Sequence, residues 1–295
     1  MEQKNGPKRV LVVVGRMHYG GIESMLMNLM RNMDRDKVIF DFMVNYQEPG
    51  AYDEEIRAMG GKIYLVPRLF LKNTFRYIKA LNEFFAAHKG EYEIIHGHLP
   101  SAAVLYLNIA RRHGVKTCIL HAHSTSIRRR WKQYVERPLV LMARGSADYY
   151  FACSDAAGAY CFGEKRLSKP NYVLFQNGIM VDRFLFRRPL RESARQSEGL
   201  EDKFVVGHVG RFVEPKNHTQ LVEIFAEVAK LRRDAVLLLI GDGPLMEACQ
   251  RQVAVLGLEE RVRFLGMRGD MDALYMAMDA FVLPSLYEGL PVAAI

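Results

Sequence analysis

No stretch of these 295 residues stays apolar for the roughly 18 positions that a membrane span requires. The run at 10–14 is also shorter than the core of a secretory signal, about 7–15 residues. Cysteine is scarce: Cys118, Cys153, Cys161 and Cys249 stand apart, with no CxxC pair and no framework spacing. A disulfide scaffold is excluded, and structural thiols in a reducing, cytoplasmic setting are the default expectation. A dinucleotide fingerprint is missing as well. The first strand-like run leads into Gly15-Arg16-Met17-His18-Tyr19-Gly20-Gly21, whose glycine spacing is not GxGxxG. The second ends Val44-Asn45-Tyr46, with no acid for a ribose, so a nicotinamide cofactor is not expected. Repeats and low-complexity tracts are absent too.

What is present is ordinary globular composition, 49% hydrophobic and 25% charged, long enough for two domains. The charge is lopsided. Residues 1–176 carry 26 Lys and Arg against 16 Asp and Glu, a net of +10; the remainder carries 15 against 17, a net of −2, which together make the +8 of the chain. Much of the excess lies between Arg111 and Lys169, including Arg128-Arg129-Arg130-Trp131-Lys132. One-sided positive charge suits an anionic partner, a membrane surface or a phosphorylated acceptor, with a solvated face as the plain alternative. Nucleic acid is not expected, since no nucleic-acid module accompanies the charge.

Short apolar runs alternate with longer amphipathic ones. Strands are predicted at 9–14, 38–44, 62–66, 94–96, 116–120, 149–152 and 172–174, with helices such as 22–33, 71–88, 102–113 and 131–144 between them. The pattern pauses at Asn177-Gly178 and through the polar stretch 187–199, which shows little periodicity. It resumes with strands at 203–209, 235–240, 262–265 and 280–283 and helices at 217–231, 245–255 and 271–278. Two α/β units follow, an N-terminal Rossmann-like domain over 1–176 and a C-terminal one over 177–295. The second has only three or four strands, so it is expected to be incomplete.

Four motifs sit at strand-to-helix junctions. Gly20-Gly21 lets backbone approach a ligand, with the amides at Ile22 open to an anion, or else makes a tight turn. Gly207-His208-Val209-Gly210-Arg211-Phe212-Val213-Glu214-Pro215-Lys216 adds two cations to such a junction. Arg holds two phosphate oxygens in a fork and Lys acts as a point charge, which together suit a diphosphate. Gly241-Asp242-Gly243-Pro244 is a glycine turn of little specificity alone. Pro284-Ser285-Leu286-Tyr287-Glu288-Gly289-Leu290-Pro291 puts an acid beside glycine at the end of a buried strand, where open α/β sheets bind ligands. Two histidine pairs, His96-Gly97-His98 and His121-Ala122-His123, each face one side of a strand. Without a cysteine or carboxylate cluster at ligand spacing, they are read as cleft or core histidines and no metal is expected.

In this order, these motifs resemble family 4 retaining glycosyltransferases, in particular bacterial polysaccharide-synthesis members. The resemblance implies a GT-B fold, two Rossmann-like domains facing a cleft. It implies a catalytic set of His123, Arg211, Lys216 and Glu288, with Arg211 and Lys216 holding the donor diphosphate and Gly20 and Gly21 approaching it. It implies Glu288 and Gly289 at the donor sugar, and Met267 and Arg268 beside the base. The family's second acid falls at position 296, beyond these residues. The substrate implied is a UDP- or GDP-sugar and the acceptor a glycan or lipid-linked hydroxyl, with no cofactor and no metal.

Retaining transfer would leave charge on the departing nucleoside diphosphate, which Arg211, Lys216 and backbone amides are suited to stabilise. No carboxylate pair suggests a glycosidase-type double displacement. The basic first half fits peripheral association with the inner face of a plasma membrane, and 69–85 mixes Phe, Leu, Lys and Arg at near-helical spacing. Two other functions suit the same residues: a GT-B sugar-nucleotide epimerase, and a non-catalytic nucleotide-sugar-binding or scaffold protein.

Overall fold

The computed structural model describes residues 6–123 and 137–295. The basic cluster Arg128–Arg129–Arg130–Trp131–Lys132 and the start of the helix predicted at 131–144 lie outside the described residues. Residues 137–142 are helical. The chain divides into two compact units, Met1–Gly178 and Ile179–Ile295.

The first unit is built on seven parallel strands, β1 (Lys8–Val13), β2 (Val38–Val44), β3 (Ile63–Leu65), β4 (Ile94–Gly97), β5 (Thr117–Ala122), β6 (Tyr149–Ala152) and β7 (Tyr172–Leu174). Their order is β3-β2-β1-β4-β5-β6-β7, so the connection reverses direction between β1 and β4. Leu11, Val12 and Val13 are wholly buried because helices cover both faces of a parallel sheet. Helix Gly21–Asn32 packs Met25, Leu26, Met27 and Met30 against Val12 and Phe42. Each such side chain contributes about 1.5–3 kcal/mol by leaving water. One carboxylate is buried in this sheet. Asp41 accepts from Arg9 Nε at 2.6 Å, Tyr92 Oη at 2.7 Å and the Lys62 amide at 2.7 Å, which compensates its lost hydration.

The second unit has four parallel strands, β8 (Phe204–Val209), β9 (Ala235–Ile240), β10 (Val262–Gly266) and β11 (Ala280–Phe281), in the order β10-β9-β8-β11. All six residues of β9 are buried. Helix His218–Leu231 covers the sheet with Leu221, Val222, Phe225 and Ala229. Here one expectation is corrected. Residues 187–199 do not interrupt the pattern but form helix Arg188–Ser197. Its inward face is arginine, not aliphatic. Arg195, 9% exposed, donates to the Ala277 carbonyl at 2.9 Å, and Arg191 donates to the carbonyls of Met276 and Met278 at 2.7 and 2.8 Å. These carbonyls end helix Met271–Ala277, whose last turn has no amide partners of its own. A hydropathy pattern does not register a face that buries guanidinium groups.

Candidate functional site

Each sheet has a point where strand order reverses, and open α/β sheets bind ligands beyond the carboxyl ends of the strands there. In the second unit that point lies between β8 and β11, which pair Val206 with Ala280 and Gly207 with Phe281. The loops leaving these strands are the Gly-Arg-x4-Lys and Pro-Ser-x2-Glu-Gly segments. They are tied together: the Leu286 amide donates to the Pro215 carbonyl at 2.8 Å, and the Asn217 side chain donates to Pro284 O at 3.3 Å. Asn217 takes a left-handed conformation, φ 54°, to turn the chain into helix His218–Leu231. Asn tolerates this better than branched residues do.

Two predicted site residues meet directly. Lys216 Nζ donates to Glu288 Oε1 at 2.6 Å, and both side chains are partly buried. Arg211 is exposed, and among the described residues no hydrogen bond or ion pair engages its side chain. Gly289 follows Glu288 on the same loop. The glycine turn after β9 supports the loop after β8. The Phe212 amide donates to Asp242 O at 3.0 Å and the Leu245 amide to Phe212 O at 3.0 Å. A Cβ on Gly241 would collide with the Gly210 carbonyl, so only glycine allows this approach.

Met267 and Arg268 leave β10, which β9 separates from β8. The Arg268 guanidinium is committed to Asp270, through two bonds of 2.8 and 2.6 Å, and to Glu198 at 2.9 Å. Its side chain is thus occupied, which leaves backbone as the means of contacting a base. Two residues that sequence reasoning passed over lie beneath the phosphate-type loop. His208 Nδ1 donates to the Val282 carbonyl at 2.8 Å, and His218 stacks on Phe212 with centroids 4.0 Å apart. Burial, then His208 and Lys216, lowers the His218 pKa to about 3, so the ring is neutral. Their signal was only a histidine at each end of the motif.

In the first unit the reversal lies between β1 and β4, whose ends are joined by the His98 amide donating to Val13 O at 2.8 Å. Gly20 caps helix Gly21–Asn32 in extended conformation. A Cβ there would meet the Glu23 carboxylate, which lies in the first turn of that helix. Next to this point, β4 and β5 bring all four motif histidines together, an association that each HxH pair alone does not specify. His96 Nε2 and His121 Nδ1 are 3.2 Å apart; His98 Nδ1 and His123 Nε2 are 2.7 Å apart. Burial lowers the pKa of His96 to about 4. Burial, with His96 adding to it, takes His123 to about 3, and burial holds His98 and His121 well below the usual range. All four are neutral near pH 7. Neutral imidazoles are competent metal ligands, and nitrogens of His96, His98 and His121 lie within 4.8 Å of one another.

Comparison with known proteins bears on the family and the fold. Residues 19–183 match the model of Glycosyltransferase Family 4, and residues 203–295 match that of Glycosyl transferases group 1. The glycosyltransferase homologue EpsF of Bacillus subtilis is 34% identical across 98% of this chain and 76% of its own. The UDP-Gal:alpha-D-GlcNAc-diphosphoundecaprenol alpha-1,3-galactosyltransferase of Escherichia coli is 28% identical across 86% of this chain and 68% of its own. Among solved structures, Anabaena HepE in complex with UDP and glucose superposes with a TM-score of 0.74 at 21% identity, covering 94% of this chain and 74% of HepE. WaaG, a glycosyltransferase involved in lipopolysaccharide biosynthesis, gives 0.67 at 17% identity over 94% and 75%. With a family model spanning more than half of its residues and a homologue matched almost end to end, the chain belongs to glycosyltransferase family 4 and has the GT-B fold.

Proposed function

We propose that the protein moves a sugar from a nucleoside diphosphate sugar to a hydroxyl acceptor, with retention of configuration, in the synthesis of a surface polysaccharide or glycolipid. The observation that carries this reading is the pairing of Lys216 with Glu288 at the β8–β11 switch point, beside an uncommitted Arg211. It sets two cations for a diphosphate next to one carboxylate for sugar hydroxyls. Arg211 and Lys216 stabilise charge on the leaving diphosphate, Glu288 and Gly289 orient the sugar, and backbone at Met267 and Arg268 borders the base. Gly20, Gly21 and His123 are the first unit's candidates for the same reaction. No metal or cofactor is assigned a step, because the side-chain cations do that electrostatic work.

The Escherichia coli relative is named for UDP-Gal and a diphosphoundecaprenol-linked sugar, which puts UDP-sugars and lipid-linked diphosphates first among candidates. A lipid-linked acceptor is consistent with the surface around 68–79, where Phe75, Leu71 and Phe70 are 90%, 79% and 47% exposed beside Arg68, Lys72, Arg76 and Lys79. The same helix, Thr74–Ala87, packs inward through Tyr77, Leu81 and Phe85. Isothermal titration with UDP, GDP and ADP tests the donor site: one diphosphate should bind without added metal and lose at least tenfold in affinity in Arg211→Met. Equal binding by wild type and variant would overturn the diphosphate assignment.

A further inference from the structure

The geometry of the four histidines distinguishes a metal centre from a hydrogen-bonded array. Two imidazole nitrogens on one tetrahedral zinc, each about 2.0–2.1 Å from it, sit about 3.4 Å apart. His98 Nδ1 and His123 Nε2 are 2.7 Å apart, too close for two ligands of one zinc and a hydrogen-bond length, whereas His96 Nε2 and His121 Nδ1, at 3.2 Å, fit either arrangement. Along each strand the rings stack, His96 on His98 with centroids at 4.3 Å and His121 on His123 at 4.0 Å, tilted by 39° and 29°. Stacked rings direct their in-plane lone pairs side by side instead of toward one point. Metal-bound histidines also rest their second N–H on a carboxylate or carbonyl. Among the described residues no carboxylate partners any of these four, and of the four only His121 faces a backbone carbonyl, that of Phe175. The arrangement is two cross-strand imidazole dyads, one stacked on the other.

A neutral imidazole has one N–H and one lone pair. Joining His98 to His123 by one N–H···N bond therefore links the outer nitrogens, His98 Nε2 and His123 Nδ1. When one is a donor, the other is an acceptor. Both are buried atoms without a partner among the described residues, and His98 as a residue is only 3% exposed. A sugar hydroxyl, which donates and accepts, satisfies such a nitrogen in either state.

We propose that His98 is a positioning residue for sugar transfer: its bond to His123 fixes the rotamer of that ring and ties its tautomer to that of His98, so that His123 Nδ1 is held ready for a substrate hydroxyl. This rests on the assignment of His123 to the transfer reaction. The second dyad supports the first from beneath, since His121 packs edge-on to Phe151 and Phe175 at 5.8 and 5.6 Å and resists ring rotation.

The test uses the full chain, with UDP release from UDP-galactose and UDP-glucose as readout. His98→Phe keeps a flat ring and removes both nitrogens; His98→Asn restores a polar atom near the Nδ1 position. Loss of an orienting partner predicts a kcat about 10–100-fold lower in His98→Phe with the donor KM within about twofold. His98→Asn should recover most of the rate, and the double variant with His123→Phe should be no slower than His123→Phe alone. Ring-nitrogen NMR of the wild type should show His98 and His123 in matched tautomers, both Nδ1–H or both Nε2–H, and His98→Phe should change the tautomer populations of His123. His98→Phe at the wild-type rate beside a slow His123→Phe overturns the proposal alone. His123→Phe at the wild-type rate overturns the assignment of His123 and this proposal with it. Unmatched tautomers in the wild type, one ring Nδ1–H and the other Nε2–H, overturn the dyad whatever the turnover, as does one zinc per chain in the native mass spectrum that His98→Phe abolishes.

Discussion

Lys216 and Glu288 compensate each other before any ligand arrives, whereas Arg211 does not have such a partner. A mostly buried pair of this kind contributes little to stability, because the cost of removing both charges from water offsets their attraction. Its value lies in preorganising both groups beside the ligand. The three residues should thus fail differently. Arg211→Met removes a charge that matters most as the diphosphate departs, and turnover should fall about 10²–10³-fold in a product-release assay. Glu288→Gln leaves both cations in place but weakens the hold on sugar hydroxyls. Titration should find UDP affinity unchanged within about twofold, while kcat for the UDP-sugar falls more than tenfold. A matched loss of UDP affinity would mean that Glu288 serves the loop instead of the sugar. Motif spacing made all three residues visible. The Lys216–Glu288 contact was not visible, because 72 positions separate them and only the pairing of β8 with β11 joins their loops.

Helix Arg188–Ser197 is the element that the sequence concealed. Its buried face offers Arg195 and Arg191 to carbonyls at the end of helix Met271–Ala277 and to Asp279, whose carboxylate also accepts from the Val205 amide at 2.7 Å. Burial alone would raise the Asp279 pKa, but the Val205 amide and the two arginines outweigh it and hold it low. Arg195→Met keeps the packing stem and leaves several carbonyls without donors. The second unit should lose about 3 kcal/mol, read as a shift in its urea midpoint, since unpaired buried groups cost about 1–3 kcal/mol each. An unchanged midpoint would show that water replaces the guanidinium. Strands were far easier to read. Each of the seven strands of the first unit overlaps the apolar run that predicts it, with β1, β4 and β5 extending one or two residues past the predicted bounds, because strands buried on both faces need uninterrupted Val, Ile and Leu.

At the scale of the whole molecule, buried neutral histidines couple stability to pH. His96, His123 and His218 have folded pKa values of about 4, 3 and 3, lowered by burial, against 6.5 for a free ring. Unfolded chains bind these protons first. Stability is therefore complete above pH 6.5 and is lost as pH falls through 6.5 toward 4, by up to about 1.4 kcal/mol per pH unit for each ring. Urea midpoints measured at pH 8, 7, 6 and 5 should be level at first and then drop; a flat profile down to pH 5 would mean that the rings are charged or exposed. The surface around Phe75 gives a second molecular test. Flotation with anionic vesicles at low salt should retain the wild type and lose Leu71→Ser/Phe75→Ser, and neutral vesicles should hold neither strongly. Among the described residues no helix is long and apolar enough to cross a membrane, so binding of this kind would be interfacial.

Composition and periodicity by themselves determined the α/β class, the approximate strand positions and the basic and acidic motifs at the strand ends, because burial and backbone geometry write those features locally. Tertiary structure alone decided which distant loops share a switch point, that an arginine face builds a helix, and that two HxH pairs become stacked dyads. Those depend on strand order and register. Parallel pairing sets residues about 25 positions apart side by side, and no local pattern carries that information.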